Sequence, residues 1–242
     1  MSRSELVARA KLSELAQRYD DMVIEMKAVV QLSEDLSNEE RNLLSVAYKQ
    51  TTAARRTSWR VMTTIEQKAV SESDKRREMV RSYREKIENE LESLCMDLIQ
   101  LIDSKLLKAA ALNINTTVFY VKMKADYYRY LSEVVSVPEK RKKIIKAAYV
   151  AYSEALETAA RSMQPISPIL LGLSLNYSVF LYEIKNSEKK AIKLAKEAYD
   201  LALQNIEGLK QAHNRDSLMI MQLIKANMAS WNGQVASTSA KR

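Results

Sequence analysis

The sequence predicts an all-α protein, and two observations carry this prediction. No glycine or proline occurs among the first 137 of the 242 residues, so the usual residues of hairpins and tight turns are missing there. Apolar side chains instead recur in steps of three and four residues along one stretch: Tyr83, Ile87, Leu91, Leu94, Leu98 and Leu101. Such a stripe is typical of one face of a long amphipathic helix.

Nine helices follow from this spacing and from the residues that commonly begin a helix. We predict them over residues 3–16, 19–33, 38–69, 74–107, 115–135, 138–162, 167–184, 187–206 and 214–231. Four of the starts have a serine three residues before an acid, so that each side chain can accept a bond from the other residue's backbone N–H. These pairs are Ser2 with Glu5, Ser37 with Glu40, Ser71 with Asp74, and Ser136 with Glu139.

The remaining boundaries depend on proline and glycine. Pro168 after Ser167 suits the first helical position, where the missing N–H needs no partner. Ser187 begins the next segment, and Gly208 is suited to end it. No linker rich in proline, glycine or serine divides the chain. We therefore predict a single domain over residues 1–231, followed by a disordered basic tail over residues 232–242.

The composition excludes several classes of site. With one cysteine and one histidine, the chain has neither a disulfide framework nor the ligands for a Cys/His zinc cluster. Its three glycines lie too far apart for a glycine-rich phosphate loop, so we expect no metal and no cofactor. A formal charge of +8 favours acidic partners, without choosing among phosphate, nucleic acid and a membrane surface.

The longest uncharged stretch, residues 162–182, contains two prolines, and its apolar part is shorter than the roughly 20 residues that span a membrane. No export signal precedes it. We therefore expect no membrane insertion, and a cytoplasmic location with the nucleus as a second one.

Two segments could bind an anion. Lys49 and Arg56 are seven residues apart on one predicted helix and so project from nearly the same face, where they could grip a phosphate from two sides. In the second segment, Arg129 lies beside Tyr130 and three residues after Asp126. On spacing alone, a solvated basic face and ordinary aromatic packing are the more common explanations of these two patterns.

Two apolar stripes have an asparagine beside them. Leu175 and Val179 flank Asn176, and a second stripe ends at Asn227: Ile220, Leu223 and Asn227. Such stripes are usually core. A carboxamide both donates and accepts, however, so two asparagines in this position could bind a peptide backbone.

Six separated stretches resemble the 14-3-3 protein family, within a match from about residue 5 to residue 231. They cover residues 36–49, 54–60, 83–88, 118–131, 175–180 and 216–223. The resemblance implies nine antiparallel helices in an L- or cup-shaped protomer, which pairs into a dimer. It also implies an adaptor without catalytic activity, whose amphipathic groove binds phosphoserine or phosphothreonine segments of client proteins.

Residue by residue, the resemblance implies three sets. The phosphate ligands are Lys49, Arg56, Arg129 and Tyr130. The other groove residues are Lys122, Asp126, Leu175, Asn176, Val179, Glu183, Ile220, Leu223, Asn227 and Trp231. The dimer interface, in a homodimer or with sister isoforms, includes Leu12, Ala16, Arg18, Asp21, Ser58, Met62, Ile65, Tyr83, Lys86 and Glu90, with Arg18 paired to Glu90 and Asp21 to Lys86 across it.

Other hypotheses remain open. A helical-repeat scaffold of the tetratricopeptide type would bind unmodified peptides, and its basic residues would be scattered. Sequence-independent nucleic-acid binding would weaken steeply with salt, but we do not expect it. An all-helical enzyme lacks an acid–base pair that we can name. The basic run at residues 140–143 is unusual for the family and would suit a nuclear-import patch, an acidic-surface contact or a solvated helix start.

Overall fold

A computed structural model describes residues 1–33, 35–68, 74–205 and 215–239, and the all-α prediction is confirmed over these residues, which contain no strand. The described helices, in chain order, are α1 Arg3–Leu15, α2 Tyr19–Leu32, α3 Asn38–Lys68, α4 Asp74–Leu101, α5 Ile114–Val134, α6 Pro138–Ser162, α7 Pro168–Glu183, α8 Glu188–Gln204 and α9 Arg215–Ser239. Helix α4 continues through a π-helical segment, Ile102–Leu106, and a last short turn, Leu107–Ala109.

The first two predicted caps form as expected. Ser2 and Glu5 exchange both bonds at the start of α1. Before α3, the carboxylate of Glu40 accepts from the Ser37 backbone N–H at 2.8 Å, and the Ser37 hydroxyl accepts from the Glu40 N–H at 3.2 Å. Both helices therefore begin where their side chains satisfy backbone donors that have no partner within the helix.

The predicted start of α6 at residue 138 is confirmed, but the predicted cap between Ser136 and Glu139 does not form. The structure begins the helix at Pro138, preceded by Val137 in an extended conformation without a side-chain cap. A residue before proline is disfavoured in the helical region, which moves the start past Ser136. Two other predicted boundary residues, Ser71 and Gly208, lie outside the described residues.

The last helix is longer than predicted. Helix α9 runs to Ser239, so residues 232–239 are helical where the sequence predicted disorder. No proline interrupts this stretch, and the single glycine, Gly233, costs only about 1 kcal/mol in a helix interior. Residues 240–242 lie outside the described part.

Two compact units divide the described chain. The first comprises residues 1–111 and 134–136, and the second comprises residues 112–133 and the described residues from 137 onward. Fully buried side chains in the first unit include Met22, Met26 and Tyr48. In the second unit, Tyr152 and Phe180 are fully buried. The single domain over residues 1–231 stays a prediction.

The core of the second unit is what positions the site described below. Alanines form the buried face of α6, so that α7 can approach closely enough for Tyr152 to stack on Tyr177, with 5.2 Å between ring centroids. Phe180 completes the aromatic group, at 5.4 Å from the Tyr152 ring. Burial of these rings fixes α6 and α7 relative to each other.

Candidate functional site

One face of α5 carries the polar residues of the second unit's site. Lys122, Asp126, Arg129 and Glu133 follow each other at steps of three and four residues and therefore lie on the same face of the helix. Lys122 Nζ is 2.9 Å from Asp126 Oδ2, and Arg129 Nη1 is 3.7 Å from Glu133 Oε1. The residue adjacent to Arg129, Tyr130, places its ring 4.7 Å from the Arg129 Cζ atom.

Asp126 is the hub of this site. The residue is 6% exposed, and its carboxylate accepts hydrogen bonds from three residues. Besides Lys122, the Asn176 amide Nδ2 on α7 donates to both of its oxygens at 2.9 Å. The hydroxyl of Tyr152 on α6 donates to Oδ1. A single buried acid therefore joins α5, α6 and α7.

The carboxylate of Asp126 is ionised despite its burial. Desolvation favours the protonated form, but the positive charges of Lys122 and Arg129, together with the bonds from Tyr152 and Lys122, lower the pKa of Asp126 below its ordinary value. Asp126 thus supplies a fixed negative charge, which orients the donors around it.

Arg129 is a nearly buried cation. The residue is 8% exposed, and its Nε donates to the Tyr152 hydroxyl at 3.3 Å. Burial disfavours the cation, yet Tyr152, Tyr130 and Asp126 raise the pKa of Arg129 above its ordinary value. Nη2 makes no hydrogen bond with another residue of the described chain. A guanidinium held at one edge in this way has donors left for a ligand.

The sequence did not single out Tyr152, which links the two charged residues. Its hydroxyl donates to Asp126 and accepts from Arg129, and its pKa is raised well above the usual value, mainly by burial and then by the Asp126 charge. A signal was available, because Tyr152 lies among alanines on the inner face of α6. A tyrosine buried on such a face needs a hydrogen-bond partner.

The predicted apolar and peptide-contacting residues lie on α7 and α9 in different degrees of exposure. Leu175, Val179 and Ile220 are half-buried and pack on the core of the second unit. Leu223 is 50% exposed. A methyl group added to Gly172 would touch Lys122 Cε at 3.6 Å and Ile220 Cδ1 at 3.9 Å, so α5, α7 and α9 meet beside the polar site.

The remaining predicted groove residues differ in their surroundings. Asn227 on α9 is half-buried and forms no hydrogen bond to another described residue. Glu183, at the end of α7, is exposed. Trp231 is only 6% exposed and stacks on Tyr182 with 4.6 Å between ring centroids. Its ring is therefore mainly part of the core.

Lys49 and Arg56 belong to the first unit, on α3. Seven residues of helix separate them, a rise of about 10.5 Å. Lys49 is exposed and has no ion pair or hydrogen bond with another described residue. Arg56 is half-buried. The other two predicted phosphate ligands, Arg129 and Tyr130, belong to the second unit.

The residues predicted for a dimer interface are largely exposed in the first unit. Leu12 on α1 is 65% exposed and Tyr83 on α4 is 54% exposed. Ile65 on α3 is 38% exposed, and the Ser58 hydroxyl donates to the Ala54 carbonyl at 3.1 Å. Ala16 is also exposed. Met62 differs, because it packs partly on the apolar cluster within its own unit.

The charged residues predicted to pair across a dimer have neighbours within the chain. Arg18 forms an ion pair with Asp21 on the next turn. Glu90 is 3.2 Å from Arg55, and Lys86 Nζ lies 5.9 Å from the Tyr83 ring centroid. Pairing across a dimer would therefore exchange or extend these contacts.

Two kinds of feature are missing from the described residues. None of their helices has an apolar stretch long enough to cross a bilayer. Within the same ranges, no three of the histidine, cysteine, aspartate and glutamate side chains are grouped as metal ligands would be.

Comparison with known proteins shows similarity along almost the whole chain. The family model described as "14-3-3 protein" matches residues 9–232. The "14-3-3 protein beta/alpha-A" of Xenopus laevis is 52% identical over 234 residues, which is 97% of this chain and 95% of that protein. The "14-3-3 protein beta/alpha" of Xenopus tropicalis gives the same values, and "14-3-3 protein beta/alpha-B" of Xenopus laevis is 51% identical over 240 residues, covering 99% and 97%.

Proposed function

Since this chain belongs to the 14-3-3 family of non-enzymatic adaptor proteins, we propose that it binds phosphoserine and phosphothreonine segments of client proteins and regulates their activity, interactions or location. The phosphate ligands in this proposal are Lys49, Arg56, Arg129 and Tyr130. We also propose that it acts as a dimer, with itself or with sister isoforms, mainly in the cytoplasm and also in the nucleus.

The state of Arg129 carries this proposal. A nearly buried guanidinium that is fixed by Tyr152 and retains a free Nη2 is already desolvated and oriented before any ligand arrives. A ligand phosphate then meets a preorganised donor and does not have to order a flexible one. Charge-assisted hydrogen bonds of this kind contribute about 1.5–3 kcal/mol each.

Phosphorylation supplies the charge that such a site lacks. A phosphate ester carries a charge of about −1.5 to −2 at neutral pH and three acceptor oxygens. An unmodified serine offers a single neutral hydroxyl and would bring no negative charge to Lys49, Arg56 and Arg129. We therefore expect strong discrimination between a phosphorylated peptide and its unmodified twin.

The rest of the peptide is proposed to contact the polar and apolar residues of α5, α7 and α9. Asn176 keeps its carboxamide oxygen without a partner in the described chain, while its Nδ2 is held on Asp126. Its oxygen is thus directed for a backbone N–H. The other proposed contacts are Lys122, Leu175, Val179, Glu183, Ile220, Leu223, Asn227 and Trp231.

Exposed apolar side chains support the proposed dimer. Leu12, Ile65 and Tyr83 lie on three different helices of the first unit and are each more than one-third exposed. A protein–protein interface commonly uses such side chains where they form one contiguous apolar patch. The proposed interface also includes Ala16, Arg18, Asp21, Ser58, Met62, Lys86 and Glu90.

Titration of a labelled phosphoserine peptide and its unmodified twin tests the binding proposal. Lys49→Glu should abolish binding of the phosphopeptide, because it replaces a phosphate ligand with a repelling charge. Lys108→Glu is the matched control: Lys108 is also exposed and without an ion pair among the described residues, and it receives the same change of charge. This control should bind like the parent protein.

Three outcomes would contradict the proposal. Equal binding of both peptides would favour the repeat-scaffold hypothesis. Equal loss in both lysine variants would mean that overall charge, not the site, drives binding. Retained binding in Lys49→Glu would remove Lys49 from the set of phosphate ligands.

A further inference from the structure

The first three turns of α6 present an unusual outer face. Residues 138–150 contain five basic residues and one acid, Glu139. Lys142, Lys143 and Lys146 are exposed, and two exposed apolar residues lie with them: Tyr149 at 39% and Val150 at 41%. At 3.6 residues per turn these five residues occupy about one-third of the helix circumference.

The opposite face of α6 is the one that packs into the core. Its buried residues are Ala148, Ala151, Tyr152, Ala155 and Ala159. The outer face is therefore held toward solvent by the fold itself. We call Lys142, Lys143, Lys146 and Lys185, together with Tyr149, the lysine face.

Lys185 joins this face from the end of α7. Its Nζ lies 5.7 Å from the ring centroid of Tyr149, a cation–π contact between α6 and the turn that follows α7. Three lysines of α6 and one lysine of the turn after α7 thus share this face with an exposed aromatic ring.

No carboxylate in the described chain forms an ion pair with Lys142, Lys143 or Lys146. This distinguishes them from two exposed lysines on α8. On α8, Lys193 lies 3.7 Å from Glu197, and Lys196 lies 2.6 Å from Asp200. The charge of the lysine face is therefore left for an external anion.

The basic run at residues 140–143 is a folded surface and not a linear signal. All four residues are helical, and Arg141, although exposed, donates from its Nε to the Ser132 carbonyl at 2.8 Å. Recognition of the run as an extended import peptide would require unfolding the start of α6. The structure therefore favours a partner that contacts the outer face of an intact helix.

We propose that the lysine face binds the surface of a membrane rich in anionic phospholipids, peripherally and without insertion. Lysine is a compact, mobile point charge, suited to many weak contacts with a layer of headgroups. Nucleic acid and acidic peptides are recognised preferentially by the planar fork of arginine, and the Nε of the one arginine in this segment is already bonded to the Ser132 carbonyl. An exposed tyrosine beside lysines is typical of the headgroup region.

Vesicle co-sedimentation tests this proposal on the full chain. The probes are vesicles of phosphatidylcholine alone and of phosphatidylcholine with about one-third phosphatidylserine. We expect the parent protein to sediment only with the anionic vesicles, and less as the salt concentration rises. Lys142→Gln/Lys146→Gln should weaken partition about 25-fold, at about fivefold for each lysine near the surface.

The matched control is Lys193→Gln/Lys196→Gln, which removes the same two charges from the formal +8. It should partition within about twofold of the parent, because these lysines lie outside the lysine face. Both variants should keep the thermal midpoint of the parent, since all four side chains are exposed.

Several outcomes would overturn the proposal. They are absence of binding to the anionic vesicles, equal weakening in both variants, and tighter binding of an RNA oligonucleotide or a polyglutamate peptide than of the vesicles. Displacement of the vesicles by excess phosphoserine peptide would also overturn it, because the phosphate ligands would then hold the lipid. We expect Lys49→Glu, which should lose the phosphopeptide, to bind the anionic vesicles like the parent. The test of the lysine face is therefore separate from the test of the proposed function.

Discussion

Replacement of Tyr152 by phenylalanine removes one oxygen atom from the centre of the polar site. That oxygen donates to the Asp126 carboxylate and accepts from Arg129 Nε at 3.3 Å, in a side chain that is 0% exposed. The ring stays, so its stacking on Tyr177 and its contact with Phe180 are retained. The substitution therefore isolates the two hydrogen bonds.

The expected loss of stability follows from the two bonds. The bond to the buried carboxylate contributes about 1.5–3 kcal/mol, because its acceptor is charged. The bond from Arg129 is long, and we assign it about 0.5–1 kcal/mol. Asp126 keeps its bonds from Lys122 and Asn176, which prevents a larger loss. The free energy of unfolding should thus fall by about 2–4 kcal/mol.

Phosphopeptide affinity should fall as well, by about five- to tenfold, because the Arg129 fork loses the group that fixes its direction. Urea unfolding measures the first effect, and fluorescence polarisation of a labelled phosphopeptide measures the second. Tyr128→Phe is the matched control on α5, since the Tyr128 hydroxyl has no hydrogen bond to another described residue.

The control should change the free energy of unfolding by less than about 0.5 kcal/mol. If Tyr152→Phe behaves like this control in unfolding, the hydroxyl does not bridge the two charges. If it unfolds more easily but binds the phosphopeptide with the parent's affinity, Tyr152 does not position Arg129 for the ligand.

Three further changes have defined outcomes. Asn176→Asp places a second carboxylate where an amide now donates at 2.9 Å to the buried Asp126. The free energy of unfolding in urea should fall by more than about 1 kcal/mol. An unchanged urea midpoint would contradict this. Ser58→Glu should lower the dimer fraction measured by sedimentation. Thr64→Glu is its control, because the hydroxyls of Ser58 and Thr64 each donate to the carbonyl four residues earlier on α3, and it should leave the dimer fraction unchanged. Equal dimer fractions for the two variants would refute the proposed interface. The hydrogen bond from Arg3 lowers the pKa of Glu40 from 4.5 to about 2. Glu40→Gln should therefore lower the free energy of unfolding by about 1–2 kcal/mol at neutral pH, after solvent screening, and this difference should disappear as the pH falls from 4.5 to 2. A difference that does not change with pH would exclude this ion pair.

Local patterns in the sequence are sufficient to predict the helices. The step of three and four residues along α4 and the serine caps of α1 and α3 depend on neighbours within a few positions, and these are visible in the sequence. The start of α6 at residue 138 was predicted correctly, but the Ser136 cap was wrong, because Pro138 fixes the boundary through backbone geometry and leaves Val137 as the preceding residue.

The polar site was only partly accessible to such reasoning. Lys122, Asp126 and Arg129 share one helix, so their spacing predicts a common face. The roles of Tyr152 and Asn176 depend on contacts across 26 and 50 positions of sequence. Helical periodicity does not encode which helices pack together, and spacing alone did not separate a binding residue from a core residue here.

A crystal structure of the chain with a bound phosphoserine peptide tests the central claim most directly. We expect phosphate oxygens within about 3.2 Å of the side-chain nitrogens of Lys49, Arg56 and Arg129 and of the Tyr130 hydroxyl. The Asn176 carboxamide oxygen should accept a hydrogen bond from the peptide backbone. A phosphate held instead on the lysine face of α6, or a peptide whose phosphate does not contact Arg129, would contradict the proposed site.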